Sequence, residues 1–354
     1  MNRRRAAAPL SLPLDEIRAR CAANAADAKK AKPASSGSDR RALVPTTSPR
    51  IVETSAELFA STVERIDFQH SVFCQTSLPY KNPGDSLREW ERTQGAAALL
   101  IEAGQARNPH GAGFVKLGLP FGEKARLVLI HLNSEAVRTG SPEIEVQDSM
   151  TAFVGSLGLA THGRNIRTIK DQLARLSAAH ITIGVAREGG PATTIKADLV
   201  HRFDLWWPKD EHQRVLWQST VRLSQEYFED LVLHAVPLDH RAIKALAHSA
   251  MALDVYVWLA QRLHRVPEGR PSFIAWAALK GQFGPGYGRM SNFRRGFLAA
   301  VEVVRAEYRA ARLSADRRGL TLRHSAPPVP KLAVTARSLG SNQHDHLVAK
   351  ATIT

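Results

Sequence analysis

Six polar side chains that share one kind of chemistry fall close together: Arg164, Asn165, Arg167, Thr168, Gln172 and Arg175. Guanidinium and side-chain amide groups are poor nucleophiles and carry no labile proton near neutrality. What they do well is donate and accept hydrogen bonds in a planar arrangement. An arginine can pair twice with the acceptor edge of guanine, and an asparagine or glutamine with the donor and acceptor of adenine. A second set of similar composition follows downstream: Arg289, Ser291, Asn292, Arg294 and Arg295. Arg187 and Lys196 follow the first set, and Arg317, Arg318 and Arg323 follow the second. These five are candidates for phosphate contacts. The chemistry on offer is readout of duplex DNA, not the making or breaking of bonds.

The elements that must hold the first set run from Asp148 to Trp207. Ser149 is a suitable N-cap for a helix whose apolar face is Phe153, Val154 and Leu157. Gly155 and Gly158 loosen its end, and Gly158 or Gly163 can take the positive φ of a tight exit. A second helix follows over Arg164–Ala179, with Ile166, Ile169, Leu173 and Leu176 on one stripe and the polar set opposite. It spans roughly 24 Å, enough to cross a major groove. His180 to Val185 then alternates like a strand, EGGP at Glu188 to Pro191 is a turn, and Thr193 to Trp206 is the return strand. This order is helix, turn, helix and two-stranded wing. A solvated face on an ordinary amphipathic helix would show the same residue types, so the order of elements and its recurrence carry the argument.

Upstream, Ile66 to Ser77 is an extended run, Gly95 to Ala103 an apolar strand, and Phe114 to Leu119 another after the NPHGAG turn. A helix over Glu123–Arg138 and a short strand over Glu143–Val146 lead into Ser149. Arg214 to Leu223 alternates like a strand, and Ser224 caps a helix through Val232. Pro237 marks a boundary. Beyond it the order recurs: a helix from Asp239, a longer one over Met251–Arg265, a strand stub at Phe273–Ala275, and a short helix at Trp276–Phe283. The long helix Asn292–Arg309 and a basic hairpin turning at Asp316–Gly319 complete the repeat.

The expected architecture is therefore α+β: two tandem winged helix-turn-helix domains with flexible N- and C-terminal tails. Residues 1–55 form a basic arm rich in Ala, Pro, Ser, Lys and Arg. Its cations either touch phosphate or belong to a solvated linker. The first domain covers residues 56–235, the second 236–325, and a tail occupies 326–354.

Composition narrows the function classes. The chain has 354 residues and a formal net charge of +15, an excess that attracts a polyanion. No apolar run reaches the roughly 18–20 residues of a membrane span, and MNRRRAAAPLSLPL lacks the apolar core of a signal peptide. A cytoplasmic, DNA-associated protein is the expectation. Cys21 and Cys74 are the only cysteines, too few and too far apart for a disulfide framework or a cysteine zinc site. His344 and His346 form a close pair in a polar tail, and His162, His180, His201, His212, His234 and His240 are scattered without metal-ligand spacing. LGLPFGEK lacks the spacing and the Ser or Thr of a phosphate loop, and GPGYG at Gly284–Gly288 reads as a turn between helices. No catalytic residue, metal or cofactor is expected.

Several segments carry a family resemblance. They are SLP at Ser77–Pro79, LPFGEKARLVLIHLNSEAVRTGSPEIEV at Leu119–Val146, SMTAFVGSLGLATHG at Ser149–Gly163 and IKDQLARLSAA at Ile169–Ala179. PLDHRAIKALAHSAMALDVYVWLAQRLHR at Pro237–Arg265 and WAALKGQFG at Trp276–Gly284 follow. Over about Ile66 to Ser325 the chain resembles plasmid replication initiators of the RepA type. That resemblance implies tandem winged-helix domains binding double-stranded origin repeats (iterons), local opening of the adjacent DNA, and recruitment of host replication proteins such as a helicase or initiator. It also implies control of plasmid copy number and a homodimer that represses its own promoter. The alternative is a winged-helix transcriptional regulator without an initiation role. Directly repeated sites of about twenty base pairs beside the gene favour initiation, and a single palindrome favours repression.

Overall fold

The computed structural model describes residues 65–108, 112–146, 149–186, 192–198, 200–204 and 219–330. The chain mixes helices and strands, as an α+β fold requires. Among the described residues no helix is long and apolar enough to cross a membrane.

The first described elements are strand β1 (Ile66–His70) and helix α1 (Ser71–Gln75). The extended run expected to reach Ser77 therefore stops early. The His70 imidazole accepts the Val72 N–H at 3.1 Å and starts a helical turn there. An antiparallel hairpin follows, β2 (Glu89–Gln94) and β3 (Ala97–Glu102), then a short hairpin of β4 (Gln105–Arg107) and β5 (Phe114–Lys116).

Helix α2 (Gly122–Thr139) is buried along most of its length, and Gly140 ends it at φ 67°, its N–H bonded to the Ala136 carbonyl. Strand β6 (Glu143–Val146) and helix α3 (Met150–Ser156) follow, with the Ser149 hydroxyl accepting the Ala152 N–H. Gly158 makes the turn at φ +77°, where a Cβ would lie 2.6 Å from the Lys244 Cγ. Helix α4 (Gly163–Ala178) then buries Ile166, Ile169, Leu173 and Leu176, the stripe its spacing predicts.

The hairpin expected as the first wing forms, but it joins another sheet. Strands β7 (His180–Ala186) and β8 (Ala192–Asp198) pair antiparallel, and β7 also pairs with β3, giving the order β2-β3-β7-β8. Leu99 opposes Ile183 and Ile101 opposes Ile181, and all four are buried. That apolar match, contributed by the run before α2, draws the hairpin away from β6. The strand beside β6 comes later. Strands β9 (Val200–Asp204) and β10 (Ser219–Leu223) complete a separate sheet of order β6-β10-β9.

Helix α5 (Gln225–His234), capped by Ser224, leads into strand β11 (Ala235–Asp239), which pairs with β1 across the expected domain boundary. Pro237 lies opposite Phe68. The Phe68 N–H turns away from β11 to the Ser134 hydroxyl at 2.8 Å, so no ladder bond is lost where proline has no N–H.

Helices α6 (His240–Ala245) and α7 (Ala250–Arg262) follow, α7 ending in a 3-10 turn at Leu263–Arg265. Strand β12 (Ser272–Ala275), helix α8 (Trp276–Phe283), helix α9 (Met290–Glu307), and strands β13 (Leu313–Ala315) and β14 (Gly319–Leu322) complete the second module. Its sheet has the order β12-β14-β13. Thus in both three-stranded sheets the last strand in sequence lies between the strand before the helix pair and the strand after it. The second core is aromatic: Phe283 packs 5.2 Å from Trp258 and 5.3 Å from Phe297, ring centre to ring centre.

Candidate nucleic-acid interface

Each module presents the start of its second paired helix. In α4 the His162 imidazole accepts the Asn165 N–H at 3.3 Å, which fixes where the helix begins. Arg164 and Arg167 are exposed, and Asn165 and Thr168 are half-buried. One amide proton of Asn165 is committed to the Ala160 carbonyl at 2.9 Å, and the Thr168 hydroxyl donates to the Arg164 carbonyl.

Two residues of the expected reading face lie elsewhere. Gln172 is fully buried: its Oε1 accepts the Phe121 N–H at 2.8 Å and its Nε2 donates to Asp171. Gln172 follows Ile169 by three residues and precedes Leu176 by four, so helical spacing already set it on the apolar stripe. Arg175 lies 5.3 Å from the Phe121 ring, and donates to Asp171 at 3.0 Å and to the Leu119 carbonyl. Both tie α4 to the segment before α2 and do not face a ligand. Lys196 falls in β8 of the four-stranded sheet, and Arg187 lies outside the described residues.

The second module gathers its cations more tightly. Arg289 is the N-cap residue of α9, and Ser291, Asn292 and Arg295 are exposed on its first turns. The Asn292 Oδ1 accepts from Arg295 at 3.3 Å, which orients the guanidinium along the helix. Arg294 lies 4.9 Å over the Trp276 ring and reaches the Asp316 carbonyl at 3.5 Å. Trp276 donates its indole N–H to the same carbonyl at 3.0 Å. These bonds fasten the β13–β14 turn to the start of α9. The Asp316 carboxylate shapes the turn by accepting the backbone N–H groups of Arg318 and Gly319. Those bonds hold its carboxyl below the usual range. Arg317 and Arg318 are exposed on this turn, with the Arg318 guanidinium 5.7 Å from the half-exposed Phe273 ring. Arg323, although exposed, lies at the other end of β14. It joins Arg270, Arg312 and His324 around a separate cavity of about 460 Å³.

Among the described residues, one side-chain trio has the types of a metal site: His70, Asp230 and His234. Asp230 Oδ2 is 2.6 Å from His70 Nε2, and its Oδ1 is 3.0 Å from His234 Nδ1. Because His70 Nδ1 accepts the Val72 N–H, the neutral ring carries its proton on Nε2, facing the carboxylate. The trio is thus accounted for by hydrogen bonds. Burial opposes the charge on Asp230, but bonds from His234 and His70 hold the carboxyl well below its usual range.

Residues 119–277 match the family model RepA_C, described as plasmid encoded RepA protein. The match covers less than half of the chain. The segment begins before α2, contains α4, and ends at the start of α8, so α9 and the β13–β14 turn lie beyond it. Two solved structures of domains 2 and 3 of RctB are also similar. One matches at 9% identity with a TM-score of 0.44, covering 72% of this chain and 98% of that one. The other matches at 9% identity and 0.42, covering 71% and 94%. No curated protein matches the chain.

Proposed function

We propose that this protein is a plasmid replication initiator: a cytoplasmic, non-enzymatic protein that recognises double-stranded origin repeats through two tandem winged helix-turn-helix modules. In this reading α4 and α9 enter successive major grooves, and the turn at Arg317 and Arg318 holds phosphate. Bound copies promote opening of the adjacent duplex and recruit host replication proteins, and a homodimer represses the promoter.

The observation that carries the reading is the shared strand order of the two three-stranded sheets, each with a cationic helix start exposed beside it. The RepA_C match supports the initiator role. Proposed contacts are Arg164, Asn165, Arg167 and Thr168 in the first module, and Arg289, Ser291, Asn292, Arg294, Arg295, Arg317 and Arg318 in the second.

Two measurements test it. The purified chain should protect directly repeated duplex sites near its own gene from cleavage. A plasmid carrying only the gene and its flanking DNA should replicate in a host that otherwise loses it. Protection of a lone palindrome without plasmid maintenance would replace initiation by transcriptional control.

A further inference from the structure

Between the two modules lies a cavity of about 1010 Å³, at the upper end of the roughly 300–1,000 Å³ that suits a drug-sized ligand. The rings of Tyr80, Trp90 and Tyr287 line it, together with Lys81, Asn292 and Arg295. Among the described residues that line it, none is an aspartate or glutamate. Lys81, Asn292 and Arg295 are exposed, whereas the three rings are half-buried.

The aromatic wall is held in place from behind. The Trp90 indole N–H donates to the Ser77 carbonyl at 2.7 Å, and the Arg92 guanidinium lies 5.7 Å from its ring centre. Tyr80 lies 4.8 Å from the Arg126 guanidinium. The Tyr287 hydroxyl rests where Gly296 leaves room on α9; a Cβ there would lie 2.7 Å from it. Rings fixed in this way lose little conformational freedom when a flat ligand covers them.

Flat aromatic surface combined with cations and no carboxylate matches one ligand chemistry: unpaired nucleotides, whose bases stack and whose phosphates need positive charge. A base pair inside a duplex has both faces covered by its neighbours, so duplex DNA cannot use the rings. We infer that this inter-module cavity holds a stretch of single-stranded DNA, distinct from the duplex read by the exposed helix starts. The inference rests on the initiator reading above. Arg295 and Asn292 border both surfaces, which sets the unpaired strand next to the duplex bound by α9.

The test measures binding of the full-length protein by fluorescence anisotropy to two probes, a duplex origin repeat and a single-stranded 20-mer of mixed sequence. The variants are Tyr287→Leu, which keeps apolar bulk, and Lys81→Glu on an exposed loop that no core packing depends on. Single-strand affinity should fall about tenfold or more in Tyr287→Leu, the scale of losing one base–aromatic stack, and should also fall in Lys81→Glu, which replaces a phosphate-binding cation by an anion. Duplex affinity should stay within about twofold of wild type. Wild-type protein that binds the duplex but not the single strand overturns the cavity proposal and leaves the initiator reading standing. Loss of duplex binding by the wild type sinks that reading instead. Single-strand binding unchanged in both variants places the strand elsewhere. Binding of ATP at micromolar levels by a wild type that does not bind the single strand assigns the cavity to a mononucleotide and also overturns the proposal.

Discussion

Arg126 and Asp254 join α2 to α7 through two contacts, Nε to Oδ1 at 2.6 Å and Nη2 to Oδ2 at 2.8 Å, with both side chains buried. Arg126 also donates to the carbonyls of Leu78 and Gly122. Burial pushes the guanidinium toward neutrality, but Asp254 more than offsets this and keeps it charged.

Removing one partner leaves a buried charge without its counterion. Arg126→Met or Asp254→Leu alone should each cost about 3–5 kcal/mol, measured by urea unfolding. The double variant should recover much of that loss, because two apolar side chains of similar bulk replace the pair. A double variant as unstable as the sum of the singles would show that the ion pair adds nothing beyond its two separate environments.

Arg295→Ala should weaken duplex binding and relax preference at one base position, with about 1–3 kcal/mol of discrimination lost. Gln172→Ala should behave differently. It leaves the part-buried Phe121 N–H without its acceptor, so the expected loss is about 1–3 kcal/mol of folding stability, with base preference retained. Gel shifts on a library of single-base variants, alongside thermal melts, separate the two outcomes.

Arg317→Ala combined with Arg318→Ala should lower duplex binding evenly across sequences. The slope of log affinity against log salt should become shallower by about 2, one near-unit step per phosphate contact. An unchanged slope would remove this turn from the phosphate-contacting surface.

His131 gives the fold a pH dependence. Burial, helped by the charge of Arg65, lowers its pKa from 6.5 to about 4. Below pH 6.5 the unfolded chain takes up a proton that the folded chain refuses. Stability is therefore intact above about pH 6.5 and declines as pH falls toward 4, by up to about 3 kcal/mol. His131→Leu should flatten that part of the stability profile. Urea midpoints at pH 7, 5.5 and 4.5 would check it.

Local signals in the sequence reach their limit at pairings between distant segments. Helix α8 falls on Trp276–Phe283 as its residues suggest, and Ser149 and Ser224 cap the helices that follow them. In these cases cap, stripe and turn all lie within a few residues. The β7–β8 hairpin is equally readable, yet its place in a sheet depends on Leu99 and Ile101, some eighty residues earlier. Arg126 and Asp254 lie 128 positions apart, and nothing in either neighbourhood announces the other. The candidate interface divides in the same way. Exposed positions on α9 follow from periodicity, as does the inward turn of Gln172. The hold of Phe121 and Leu119 on Arg175 needs coordinates.

Helix α7 packs against both α2 and α9, and α2 packs against α4, so one rod links the two helices proposed to read DNA. A ruler of that kind has little give. If α4 and α9 read one target together, five extra base pairs between their contact points would swing one half-site to the far side of the helix. Ten would restore the facing but stretch the gap by a full turn. The protein's preferred spacing is then written into the thickness of α7 itself.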